Sequence, residues 1–198
     1  MMNTGNFGIP LILFAFGEKG LAYAIIVLVV FTFPLGTLAV FIASKGKSDI
    51  KTSIIEIFKI PLFHSIIAAS IVRYFNINIP ELIMKPIVLI GDAAIPALLM
   101  LLGMQLARTK ITESIKPVFS SVFLRLIISP VMAIVLCKLL NITGLPAKVL
   151  IIQTSTPSAI IPLLYAVNYD TKPDIVSATI FISTLLSAAT ISILLWIL

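Results

Sequence analysis

Apolar residues run along this chain in long blocks, and the polar residues collect between them. A helix needs roughly 20 mostly apolar residues to cross a hydrocarbon core about 30 Å thick. Backbone groups in lipid must bond within their own segment, so such blocks read as helices rather than strands. Six complete blocks qualify: Leu21–Ala43, Ile54–Tyr74, Ile83–Ala107, Val118–Leu140, Ala147–Tyr169 and Ile175–Leu198. A seventh, Met1–Phe16, is short for a span and lacks a leading half. It has no basic start and no small-residue cleavage site, so it does not read as a signal peptide. The pattern predicts an all-α multi-pass membrane protein with seven spans, the first incomplete.

Composition sharpens this. Of the 198 residues 60% are apolar and 11% charged, with a mean hydropathy of +1.18, where a soluble domain carries about 25% charged residues. A soluble enzyme, a nucleic-acid-binding module and a disordered tail are excluded on these values. The net charge of +6 lies mainly in loops, as it does in membrane proteins that hold basic loops in the cytoplasm. Lys45, Lys47, Lys51, Lys59, Arg108, Lys110, Lys116 and Lys172 share one side of the predicted topology; Lys19, Arg73, Lys85, Lys138 and Lys148 share the other. The excess puts the Lys45 loop in the cytoplasm and the protein in the cell membrane.

Two short spans carry a central proline. Sliding Ile9-Pro10-Leu11 by 152 residues brings it onto Ile161-Pro162-Leu163, and the same shift sets Glu18 on Asp170 at the ends of the two spans. The spans lie an odd number of crossings apart, so they run in opposite directions. That is the plan of an inverted repeat of five helices, which secondary transporters use to bring broken helices together near the midplane. The alternative is that the two prolines only kink their helices. On the repeat reading, residues 60–198 form a complete five-helix unit, 44–59 a basic cytoplasmic loop and helix start, and 1–43 the last two helices of a preceding unit. Three helices and part of a fourth are then expected before Met1.

Four motifs carry a family resemblance. Asn3-Thr4-Gly5-Asn6-Phe7-Gly8-Ile9-Pro10-Leu11 resembles the first broken helix of the auxin efflux carrier family of permeases. Ile90-Gly91-Asp92-Ala93-Ala94-Ile95-Pro96 with Leu102-Gly103 is similar to its seventh helix. Pro157-Ser158-Ala159 with Ile161-Pro162 and Tyr169-Asp170 resembles the second broken helix. Pro173-Asp174-Ile175-Val176-Ser177 running into Ser183-Thr184-Leu185-Leu186-Ser187 resembles the last. The resemblance covers nearly the whole chain and implies helices four to ten of a ten-helix, five-plus-five inverted-repeat fold with two crossing broken helices. It also implies transport of organic anions, such as auxin in plants and dicarboxylates in bacteria.

Candidate substrate-binding residues follow. Pro10 and Pro162 are taken as the two breaks, where freed amides and helix N-termini can face an anion. Asn3, on the resemblance, and Asn6 offer uncharged amide donors; Asn6 could equally bond between helices. Asp92 lies roughly 12 Å into its span at about 1.5 Å per residue, where a carboxylate carries a proton or cation, or serves as a structural partner. Arg125 either snorkels to the cytoplasmic surface or pairs with Asp92. Gln153 and Ser155 are the better candidates in the Gln153–Thr156 run, although hydroxyls there also bond the preceding turn.

Other chemistry is sparse. His64 has no second ligand at metal spacing, Cys137 stands alone, and no phosphate-binding loop is present. Ser155 and Ser183 have no base beside them, so no enzyme activity, metal or cofactor is expected. Gly103 and other small residues suit helix packing, and Asn141-Ile142-Thr143 fits a glycosylation acceptor without evidence of a secretory host. The expected function is secondary active transport of small organic anions, coupled to a proton or ion gradient. The expected partners are the substrate, the lipid bilayer and a second copy of the chain in a homodimer, with no nucleic acid. The second reading is a fragment or subunit of such a permease that does not transport alone.

Overall fold

A computed structural model describes residues 1–43, 61–107 and 115–198, which are helical apart from short connections. The expected basic loop 44–59, with the opening of the second complete span, lies outside the described residues. So do Arg108 and Lys110.

A π-turn, Thr4–Gly8, leads into α1 (Ile9–Ala43). Gly17 interrupts α1 with φ 64° and ψ −163°, a conformation that glycine adopts without a Cβ clash. The chain folds back there. A Cβ on Gly20 would sit 3.2 Å from Cγ2 of Ile12, and one on Gly5 would sit 3.8 Å from Cδ1 of Leu28. A straight helix rising about 1.5 Å per residue would hold those pairs about 12 Å and about 35 Å apart. Helix α1 is therefore a hairpin of a short arm, 9–16, and a long arm, 18–43. The two blocks expected from the sequence are present, but the loop between them has shrunk to one residue.

The remaining elements are α2 (Pro61–Tyr74), α3 (Glu81–Ala107), α4 (Ile115–Leu139), α5 (Gly144–Thr154), α6 (Ile161–Asn168) and α7 (Pro173–Ile197). By length and composition α4, α7, most of α3 and the stretch Thr4–Thr32 could each cross a membrane. The fold-back at Gly17 divides the last of these between two passes.

Helix α4 carries a π-turn of its own at Leu124–Ile128. Both π-turns end two residues before a proline, Pro10 in one case and Pro130 in the other. A proline ring crowds the preceding turn and supplies no N–H. A widened turn just before it relieves the crowding, and its bonds reach one residue further back, as Gly8 N–H to Asn3 O at 2.9 Å does.

The buried apolar side chains tie the two ends of the chain together. Ile9, Ile12 and Ala24 of α1 pack with Val149 and Ile152 of α5. Val118, Val122 and Leu126, spaced by one helical turn on α4, pack on Ala178 of α7. Further along α4, Ala133 and Cys137 meet Ile151. Large apolar side chains such as Leu82, Leu89, Leu139 and Trp196, the last 88% exposed, point outward, while Gln153, Ser155, Thr156, Ser183 and Ser187 are fully buried. Polar inside and apolar outside is the arrangement lipid requires, because only the interior offers hydrogen-bond partners.

Candidate functional site

The second broken helix opens at 155–160, between the end of α5 and the start of α6. Pro162 does not make the break: it is in the first turn of α6, where a proline's fixed φ suits a helix start and its missing N–H costs nothing. Pro10 likewise stands in the first turn of the short arm of α1. The prolines mark where each second half begins; open backbone directly precedes Pro162, whereas the π-turn Thr4–Gly8 lies between the extended residues 1–3 and Pro10.

The two open segments cross. Met2 and Ser158 form an isolated antiparallel bridge, in which Asn3 N–H donates to Pro157 O and Ala159 N–H donates to Met1 O, both at 2.9 Å. Four last carbonyls of α5 would be orphaned by the break, and all four find partners, Ile152 O from Ser155 N–H at 3.0 Å among them. Ile151 O accepts from the backbone N–H and hydroxyl of Ser155. Gln153 O accepts from the Thr156 hydroxyl at 2.7 Å. Thr154 O and Thr156 O accept from Arg125, whose Nη2 and Nε reach them at 2.5 and 2.7 Å. On the donor side, Ser158 N–H reaches Ser183 Oγ at 3.1 Å.

Arg125 thus neither snorkels nor pairs with Asp92, as the sequence suggested. Its position on the π-turn of α4 faces the end of α5, where freed carbonyls and the negative end of the helix dipole make a better partner than distant water. Its third bond goes from Nη1 to Ser129 Oγ at 2.9 Å. A cavity of about 390 Å³ opens beside it, lined among others by Arg125, Ser121, Ser129, Ser158 and Pro162.

The other candidates fall around this crossing with one exception. Asn3 and Pro10 are buried in it, and Asn6 is half-buried on the π-turn. Ser155 is buried with its hydroxyl hydrogen committed to Ile151 O, which leaves oxygen lone pairs rather than a donor. Gln153 is 0% exposed, and its amide nitrogen and oxygen find no partner among the described residues. It presses on Gly8, where a Cβ would come within 2.1 Å of its Oε1. Asp92 is exposed on α3 and lines neither this cavity nor its neighbour beside Tyr165 and Thr171. The sequence reading missed Ser158, Ser183 and the Gly8–Gln153 contact. For Ser158 the visible signal was its place beside Pro157; the other two depend on which helices meet.

The family described as membrane transport protein matches residues 49–197. A protein named as an uncharacterized transporter from Methanocaldococcus jannaschii is 33% identical over 201 residues, covering 99% of this chain and 65% of the relative. A second one from Methanothermobacter thermautotrophicus is 32% identical, covering 99% and 64%. Auxin efflux carrier component 1 of Arabidopsis thaliana is 29% identical over 116 residues, 57% of this chain and 18% of that protein. The chain therefore spans just under two thirds of the first two relatives. The matched proteins are named as transporters and carriers, not as enzymes.

Proposed function

The chain belongs to the membrane transport protein family that takes in the auxin efflux carriers, and from that premise we propose that it moves small organic anions, carboxylates foremost, across the cell membrane. The observation that supports this reading most is the crossing of the opened segment 155–160 with the extended residues 1–3, beside a cavity that holds Arg125. Opened helices in transporters set amide groups and helix ends around the substrate near the midplane. In this reading the crossing stays fixed while one bundle rocks against the other, exposing the cavity to each side in turn, driven by a proton or ion gradient. Asn3, Asn6, Gln153 and Ser155 contribute polar groups around the anion, and Pro10 and Pro162 set where the half-helices begin.

The test is uptake of labelled carboxylates into proteoliposomes that carry the full-length protein with an imposed proton or sodium gradient. Accumulation that collapses when the gradient is dissipated is the expected result. Folded, monodisperse protein that accumulates no carboxylate under either gradient overturns the reading.

A further inference from the structure

Arg125 is a cation inside an apolar helix, and every partner it has among the described residues is neutral: two backbone carbonyls and one hydroxyl. Among the described residues Glu81 pairs with Lys85 on the surface, at 3.2 Å. A guanidinium has five N–H donors in a planar fork. Three are committed, so two remain, one on each terminal nitrogen. The side chain lines the 390 Å³ cavity, together with Ser121, Ser129 and Ser158, and no acidic residue is among that lining.

A charge in this setting is costly unless something of opposite sign approaches it. The carbonyls of Thr154 and Thr156 hold the guanidinium plane on one edge and offset part of that cost. They also fix the plane's direction, which prevents it from turning away toward either membrane surface. One N–H on each terminal nitrogen is unspent, and the terminal edge of a guanidinium is one that binds a carboxylate in two-point fashion. We propose that Arg125 holds the carboxylate of the transported anion from within this cavity, while its other edge braces the opened helix. This rests on the organic-anion reading and adds the residue that discriminates the charged group from a neutral one.

The test uses full-length protein in detergent and equilibrium binding of labelled benzoate and succinate, with benzamide and succinamide as neutral counterparts. Wild type is expected to prefer each acid over its amide. In Arg125→Gln the acid is expected to bind about 10- to 100-fold more weakly, the range for losing a hydrogen bond to a charged group, with the amide little changed. Equal loss for acid and amide would make Arg125 a brace only and overturn the proposal, as would unchanged acid binding. If Arg125→Gln does not fold, Arg125→Lys decides: it keeps the charge without the fork, so acid binding weakened against the amide supports the proposal, and an acid preference equal to wild type overturns it. Wild type that binds neither acid removes the organic-anion reading along with this inference, whereas wild type that binds and variants that match it remove the inference alone.

Discussion

The two broken helices share a backbone plan and solve its costs differently. Each second half is eight residues long, 9–16 in one and Ile161–Asn168 in the other, with proline second and a tight reversal after it. The first reverses at Gly17 and the second through 169–172, where Asp170 and Lys172 take positive φ. Upstream of the proline the likeness ends. The first segment stays wound as a π-turn, Thr4–Gly8; the second opens fully at 155–160 and needs Arg125, Thr156 and Ser183 to satisfy it. A repeated fold can keep its geometry while one copy takes on the polar chemistry. The gap between them also explains their contact: Gly8 of the wound copy lies flat enough for Gln153 of the open copy to lie against it.

That contact is the place to break the comparison hardest. In Gly8→Ala a Cβ would fall 2.1 Å from Gln153 Oε1 and 2.9 Å from its Cδ. The amide is the far end of a flexible side chain, but it is fully buried, so moving it means repacking the crossing. Overpacking of this kind costs about 1–3 kcal/mol, against a gain of up to about 1 kcal/mol from helix propensity. Thermal unfolding in detergent should show a net loss of about 1–2 kcal/mol. In a Gln153→Ala background the same Gly8→Ala change should be neutral or stabilising. Additive effects in that cycle would mean the two residues do not meet.

Ser183→Ala tests the open copy alone. It removes the acceptor of the Ser158 N–H and leaves that donor without a partner at a cost of about 1 kcal/mol. The Ser183 hydroxyl also donates back to Ile180 O at 3.1 Å, so Ser183→Cys, which keeps a weak donor and acceptor, should recover part of the loss. An alanine variant as stable as wild type would show that the opened backbone finds water instead.

Much of this arrangement is legible in the sequence itself. Long apolar blocks settle the helices, and Ile9-Pro10-Leu11 against Ile161-Pro162-Leu163 marks the two short arms. The sequence points to Pro162 for the opening, whereas the structure opens at 155–160, because a proline inside a helical run can end one helix or begin another and spacing does not say which. Arg125 was visible as an anomaly, yet its partners are carbonyls that become acceptors only when another helix stops. Backbone groups carry no signature in sequence. Gly8 and Gln153 are far apart in the chain, and their fit depends on the crossing itself.

Asp92 gives the smallest effect on stability and sharpens the comparison from outside it. The carboxylate is exposed on α3, away from the cavity that holds Arg125, while α3 itself packs on the first π-turn and, through Ile95 and Leu98, on the apolar cluster of α1 and α5. With no described partner to lose, Asp92→Asn should change unfolding stability by less than about 0.5 kcal/mol. Its expected consequence is on coupling: if the carboxylate carries the driving proton, Asp92→Asn abolishes gradient-driven accumulation of the anion but leaves exchange of labelled for unlabelled anion running. Loss of both would put Asp92 in the binding step, and loss of neither would make it a lipid-edge residue without a transport role. A proton carrier on one helix and an anion holder at the crossing would then be coupled through α3 and the wound copy of the break, which gives the less polar of the two broken helices a task of its own.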